Sequence, residues 1–232
     1  MVSHALLIPI PWPACLYACV VAVVALLASL SSPVVASRSL AAAAAGSSGA
    51  ADPTLGFTEV SLNESNFVLQ RPYDVPSGDR YRFDGGVRQL WSNTSPRTEI
   101  RMVGYDYSAG VWQFEGYGYV ASGTTGVSFM QVFGAGDSAT TLMLHVYDGT
   151  LRYYDRRVVE DGICDRWFRL NVVHDVGGST LTVLVDGVER LRAPGRGGGG
   201  SHYFKFGVYA QNHASSCMES RWKDVRILRK GY

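Results

Sequence analysis

The sequence predicts an all-β fold, a two-sheet antiparallel β-sandwich of jelly-roll type with a concave groove on one sheet. Three observations predict it. No helical period is sustained over several turns beyond Asp52. Short runs of alternating apolar and polar residues recur at close intervals. Turn signals such as Asp84-Gly85-Gly86, Asp148-Gly149 and Asp186-Gly187 separate those runs. Half-buried strands of this kind cover their apolar faces by packing one sheet on another.

The chain has 232 residues, and the first fifty or so stand outside this pattern. Leu16 to Leu30 is almost wholly apolar, and Val34-Val35-Ala36 before Ser37 is a small-residue cleavage signal. Residues 1–36 therefore read as a secretory signal peptide. A basic leading region is missing, so an uncleaved anchor is the alternative. Residues 37–51 are an Ala/Ser/Gly-rich leader or linker. Residues 52–232 form the domain. Of the 21 basic residues only Arg38 precedes Asp52, and all 20 acidic residues follow it, so the domain is formally neutral. That balance argues against nucleic acid as a partner and against stable membrane insertion once the signal is removed. The route implied is secretory, ending outside the cell (apoplast or cell wall) or in the vacuole. The triplets beginning at Asn63 and Asn93 are N-glycosylation sequons. Cys164 and Cys217 are expected to pair in that compartment, the alternative being two buried thiols. His145, His174, His202 and His213 are scattered without metal-ligand spacing, and nothing in the sequence asks for a metal or another cofactor.

Within the domain, strands are expected at Phe57 to Leu62, Asn66 to Gln70, Tyr81 to Phe83 and Val87 to Trp91. Further strands follow at Arg97 to Arg101, Val111 to Tyr119, Val127 to Phe133 and Leu142 to Tyr147. Leu151 to Val158, Arg166 to Asp175, Thr180 to Asp186, Tyr203 to Gln211 and Trp222 to Leu228 complete the set. The Tyr203 run alternates without a break. Phe204, Phe206, Val208 and Ala210 make one row, and Tyr203, Lys205, Tyr209 and Gln211 make the other, with Gly207 as a gap. A wet face holding a cation, two phenols and an amide is unusual for an ordinary strand. Arg97, Glu99 and Arg101 share a second such face, and Gln131 and Phe133 share a third. Gln113 and Tyr117 belong to the polar row of the Val111 strand, which is expected to face the same groove.

In that order, Arg97-Thr98-Glu99-Ile100-Arg101, Gln131-Val132-Phe133 and Tyr203-Phe204-Lys205-Phe206-Gly207-Val208-Tyr209-Ala210-Gln211 resemble the three signature strands of the alginate-lyase-2 family (polysaccharide lyase family seven). Its motifs are R-[ST]-E-L-R, Q-[IV]-H and Y-F-K-x-G-x-Y-x-Q. The second is broken, because Phe133 stands where the family has histidine. Gly104-Tyr105-Asp106-Tyr107-Ser108, Trp112 to Tyr117, Asp165 to Arg169 and Ala193 to Gly198 resemble the plant citrate-binding-protein branch of that family.

The residues themselves offer recognition of a carboxylate among hydroxyls. An Arg guanidinium fork matches a carboxylate at two points, and a Gln amide adds a donor. The expected ligand-binding set is Arg97, Arg101, Gln131, Lys205, Tyr209, Gln211, Gln113 and Tyr117, with Glu99 orienting the cations. The resemblance implies citrate or an acidic oligosaccharide (oligouronate) as partner. It also implies the alternative of a lyase that cleaves uronate polymers by β-elimination. There Arg97 and Gln131 would neutralise the carboxylate and Tyr209 would serve as acid or base. Phe133 can neither accept nor donate a proton, and losing a general base costs ~10²–10⁴-fold in rate. Carboxylate binding is therefore the leading reading. A cell-wall carbohydrate-binding protein with no citrate role is the third.

Overall fold

The computed structural model describes residues 52–71, 75–93, 97–134, 136, 139–196 and 200–231. The apolar segment and the linker before Asp52 lie outside them. In chain order the strands are β1 (Phe57–Glu59), β2 (Phe67–Gln70), β3 (Tyr81–Asp84), β4 (Val87–Ser92) and β5 (Arg97–Met102). β6 (Val111–Val120), β7 (Val127–Phe133), β8 (Thr140–Tyr147), β9 (Thr150–Tyr153) and β10 (Arg157–Glu160) follow. β11 (Trp167–Asp175), β12 (Thr180–Val185), β13 (Val188–Pro194), β14 (Tyr203–Ala210) and β15 (Met218–Lys230) close the domain.

Two antiparallel sheets result. The back sheet runs β13-β12-β11-β6-β15-β4-β3, with β1 beside the end of β15, and the front sheet runs β10-β9-β8-β7-β14-β5-β2. The apolar rows meet between them. Phe114 and Trp222 from the back sheet pack on Phe129, Phe204 and Phe206 from the front, and each of these side chains is at most 1% exposed. Trp222 stacks on Phe129 with ring centroids 4.3 Å apart. Gly118 makes that stack fit, since a Cβ there would lie 2.7 Å from the Phe129 ring. Fully burying aromatic side chains stabilises the sandwich by roughly 1.5–3 kcal/mol each.

The hairpins expected at Asp148-Gly149 and Asp186-Gly187 form, with both residues of each pair at positive φ, as a tight two-residue turn requires. The expected strand from Leu151 to Val158 is instead two strands, because Tyr154 adopts φ 52° and breaks the run. β13 was not expected. It is an edge strand in which Leu191 and Ala193 are buried and the flanking Glu189, Arg190 and Arg192 are exposed, so charge hides its period.

The expected Cys164–Cys217 bridge does not form, and Cys164 carries a free thiol. Val120 at the end of β6 pairs with Cys164 on one side and with Ser220 on the other. The two cysteine segments therefore flank β6, about two strand spacings (~9.5 Å) apart. That exceeds the Cα separation a disulfide spans.

Candidate functional site

The front sheet gathers most of the expected site. Pairing sets Lys205 of β14 opposite Arg101 of β5 and opposite Gln131 of β7. One step along, Gly207 faces Glu99, and Tyr209 faces Arg97. The core-facing partners on these strands, Ile100, Val132, Phe204, Phe206 and Val208, are buried between the sheets. The period of two therefore turns Arg97, Glu99, Arg101, Gln131, Lys205 and Tyr209 to the outer face.

Glu99 is the centre of this cluster. It is 1% exposed and receives Lys205 Nζ at 2.6 Å, with Lys205 itself 3% exposed. Gln131 Nε2 donates to the second carboxylate oxygen of Glu99. Arg97 lies 3.7 Å from Glu99, an ion pair without a hydrogen bond. Burial lowers the Lys205 ammonium from its ordinary pKa, and Arg97 and Arg101 add to that, while the Glu99 charge and hydrogen bond oppose it. Gly207 lets β14 come this close. Its φ is +143°, and a Cβ there would meet the Thr98 carbonyl oxygen at 2.5 Å. The gap expected at Gly207 is thus filled by the neighbouring strand.

Arg101 is also engaged. It donates to Asp106 at 2.7 Å and lies 3.9 Å above the Tyr203 ring. Tyr203 in turn stacks on Phe133 with centroids 4.8 Å apart and planes 17° apart. Phe133 therefore completes a guanidinium–phenol–phenyl stack. Burial raises the Tyr203 phenol above its ordinary pKa. Gln211 donates to the carbonyls of Tyr209 and Ala210, which ties its amide to its own backbone.

Arg97 differs from the other cations. Its guanidinium sits 4.4 Å over the Tyr209 ring and makes no hydrogen bond to any described residue. Its side chain is 32% exposed. Lys205 is neutralised by Glu99 and Arg101 by Asp106, so the cluster is left with one cation whose donors are unspent. The Tyr209 hydroxyl beside it has no hydrogen-bond partner among the described residues either. Chemically, such a guanidinium can donate to a carboxylate at two points, with a phenol hydroxyl nearby.

Gln113 and Tyr117 do not join it. β6 pairs with β11 and β15 in the back sheet, and its polar row faces away from the groove. The alternation correctly separates Phe114 from Gln113, but it does not say which sheet a strand enters. That row has its own ionic centre. Glu115 is 3% exposed and accepts from Arg169 at 2.6 Å and Asn171 at 2.7 Å, and Arg226 also donates to it. Burial alone would raise the Glu115 carboxyl, yet hydrogen bonds from Arg226, Asn171 and Arg169 hold it below its usual range.

His202 is 1% exposed between the sheets, with Nδ1 2.7 Å from the Gly134 carbonyl. It is no part of the groove. His145 and Ser128 are on the groove face, a placement that local sequence pattern does not reveal. Their strands alternate clearly, but the facing depends on which row packs inward. Among the described residues no group of three or more His, Cys, Asp or Glu could hold a metal ion. Asn63 and Asn93 are exposed. Asn63 caps the short 3₁₀ turn Glu64–Asn66, while Thr94 and Ser95 of the second sequon fall outside the described residues.

The chain is similar to known proteins at two levels. In sequence, the model of a family described as alginate lyase matches residues 83–229. A citrate-binding protein of Hevea brasiliensis is 50% identical over 191 residues, which covers 77% of this chain and 80% of that protein. In structure, the PL7 alginate lyase AlyA1 from Zobellia galactanivorans matches with a TM-score of 0.55 and 15% identity, over 68% of this chain and 83% of that one. The alginate lyase AlgAT5 of polysaccharide lyase family 7 matches with a TM-score of 0.53 and 14% identity, over 75% of this chain and 94% of that one. Likeness at that identity speaks to the fold. Together with the sequence matches, it shows that this chain belongs to the alginate lyase family, in its citrate-binding-protein-like branch.

Proposed function

We propose that this protein binds carboxylates, either citrate or an acidic oligosaccharide, on the outer face of the front sheet, and that it does not cleave them. One observation carries the reading. Arg97 keeps its hydrogen-bonding fork unspent beside the Tyr209 hydroxyl, while Phe133 fills the place of the family's histidine with a ring stacked on Tyr203. The first feature offers two-point recognition of a carboxylate. The second removes a group that could take a proton. The Hevea relative's name supports citrate as a ligand. The Leu16–Leu30 apolar run supports a secretory route to the cell exterior or the vacuole.

The test is an ultraviolet assay for unsaturated uronate on polymannuronate, polyguluronate and polyglucuronate, run beside calorimetric titration of citrate and oligouronates. Saturable binding with no new absorbance is the expected result. Turnover by the wild-type protein that disappears in Tyr209→Phe would replace this reading with a lyase. The variant Phe133→His is expected to gain lyase signal, because Arg97, Gln131 and Tyr209 already share the face it would join.

A further inference from the structure

The sandwich is open along one side, where β2 ends the front sheet and β3 ends the back sheet. The back sheet also has a gap there. β4 pairs with β15 only as far as Trp222. The chain after β1 rejoins β15 at Ile227, whose carbonyl accepts from the Val60 N–H at 2.9 Å. Between them β15 bulges, with its register shifting from Lys223 to Arg226 and Asp224 at φ 52°. Beside the gap, Phe83 of the edge strand β3 is 45% exposed. Exposed apolar groups on an edge strand invite pairing with other chains, and natural proteins cover them.

A pocket of about 240 Å³ opens at this gap, and Glu59, Asn63, Phe83, Arg88 and Asp224 are among its lining residues. It is smaller than the usual ligand cavity and suits a single ring. Arg88 is buried, with its guanidinium held between the Phe67 ring at 3.8 Å and the Phe83 ring at 4.1 Å. It donates to the Tyr81 hydroxyl at 2.7 Å and to Glu64 at 2.5 Å. Glu64 is the middle residue of the sequon Asn63-Glu64-Ser65, so this ion pair pins the sequon to the pocket wall. Asn63 is fixed as well. Its Oδ1 accepts from the Ser65 N–H at 2.9 Å and the Ser65 hydroxyl at 2.6 Å, and its own N–H donates to the Asn66 side chain at 2.8 Å. This is a capping box. Asn63 is exposed, and its Nδ2, the atom through which a glycan is joined, makes no hydrogen bond to any described residue.

We propose that Asn63 carries an N-linked glycan whose first N-acetylglucosamine ring occupies this pocket, its carbon–hydrogen face on Phe83 and its hydroxyls toward Glu59 and Asp224. The donor is a lipid-linked oligosaccharide. The Nδ2–C1 bond forms as the bond from C1 to the diphosphate oxygen breaks. Nδ2 loses one proton, and the lipid diphosphate leaves with the electron pair. Asn63 itself lines the pocket and its loop is held at two points, so the first ring is delivered beside the same wall. There it covers Phe83 and sets a hydrated chain over the open edge of β3. The inference rests on the secretory reading of the N-terminal segment and is independent of the carboxylate reading of Arg97.

The experiment expresses the full chain in a eukaryotic secretory host, for wild type, Ser65→Ala and Phe83→Ser. Peptide mass mapping before and after peptide N-glycosidase treatment reads occupancy at Asn63. Melting temperature is then compared among intact protein, protein trimmed by an endoglycosidase to one N-acetylglucosamine, and protein fully stripped. Stripping leaves Asp at position 63, which caps the turn as well as Asn does. Asn63 should be occupied in wild type and bare in Ser65→Ala. Trimming to one ring should leave the wild-type Tm unchanged, and removing that ring should lower it by about 2–4 °C. In Phe83→Ser, removing it should make no difference. Wild-type protein recovered from the medium with Asn63 bare would overturn the proposal and leave the secretory reading intact, whereas protein retained in the cytosol would overturn both. An occupied Asn63 whose last ring does not affect Tm, or affects it equally in Phe83→Ser, would overturn the placement of the sugar in the pocket.

Discussion

Replacing Glu99 by Gln tests how the site is held together. Glu99 and Lys205 are both almost fully enclosed, 2.6 Å apart, with Arg97 on the same carboxylate and Arg101 directly across from Lys205. Glu99→Gln keeps the shape and removes the only negative charge among the described residues that contacts that ammonium. Removing one member of a buried pair costs about 3–5 kcal/mol, because the other is left charged and dry. Urea unfolding followed by the fluorescence of buried Trp222 would measure the loss at neutral pH. Adding Lys205→Met should return part of it, since the orphaned charge goes too. The single variant should also regain stability as pH rises toward 10.5, the ordinary lysine value. Its folded form favours neutral Lys205, while the unfolded chain releases that proton only near 10.5, so stability increases with pH over that window. A cost below ~1 kcal/mol, or a double variant less stable than the single, would refute the claim that Glu99 is the counter-ion on which the cluster is built.

Gly207→Ala should destabilise the domain and weaken citrate binding, because the new methyl group would press on the Thr98 carbonyl at 2.5 Å and on Glu99 Cα at 2.7 Å; a variant that melts with wild type would contradict the close approach of β5 and β14. Stability should also fall as pH drops from 6.5 toward 4. His174 is 3% exposed, and burial, with His202 beside it, lowers its imidazole to about 4. The unfolded chain takes up a proton near 6.5 that the folded form refuses until about pH 4, for up to ~3 kcal/mol. His145 is lowered to about 4 by burial and adds a fall of the same sign. Urea midpoints across that range should flatten in part in His174→Phe, and an unchanged profile would contradict the assignment.

The architecture was legible because strand period and turn chemistry are local. Phe204, Phe206 and Val208 alternate with Lys205 and Tyr209 in the text as they do in the sheet. The grouping of Arg97, Gln131 and Tyr209 was legible through motif resemblance, since nothing local says that β5, β7 and β14 are neighbours. What could not be read depends on sheet membership and on pairing across long distances. Gln113 alternates as cleanly as Lys205, yet its strand joins the back sheet. Cys164 and Cys217 look pairable until β6 is found between them. The unspent donors of Arg97 become visible only once Glu99 is seen to engage Lys205 and Gln131, and Asp106 to engage Arg101. His145 and Ser128 gave no signal beyond the alternation of their strands.

Calorimetric titration of citrate and a uronate tetrasaccharide into wild type, Arg97→Ala and Tyr209→Phe tests the central claim most directly. The account predicts saturable binding by wild type, none measurable in Arg97→Ala, and most of the affinity retained in Tyr209→Phe. Undiminished binding by Arg97→Ala would contradict it, because the neighbouring cations Lys205 and Arg101 are already engaged by Glu99 and Asp106.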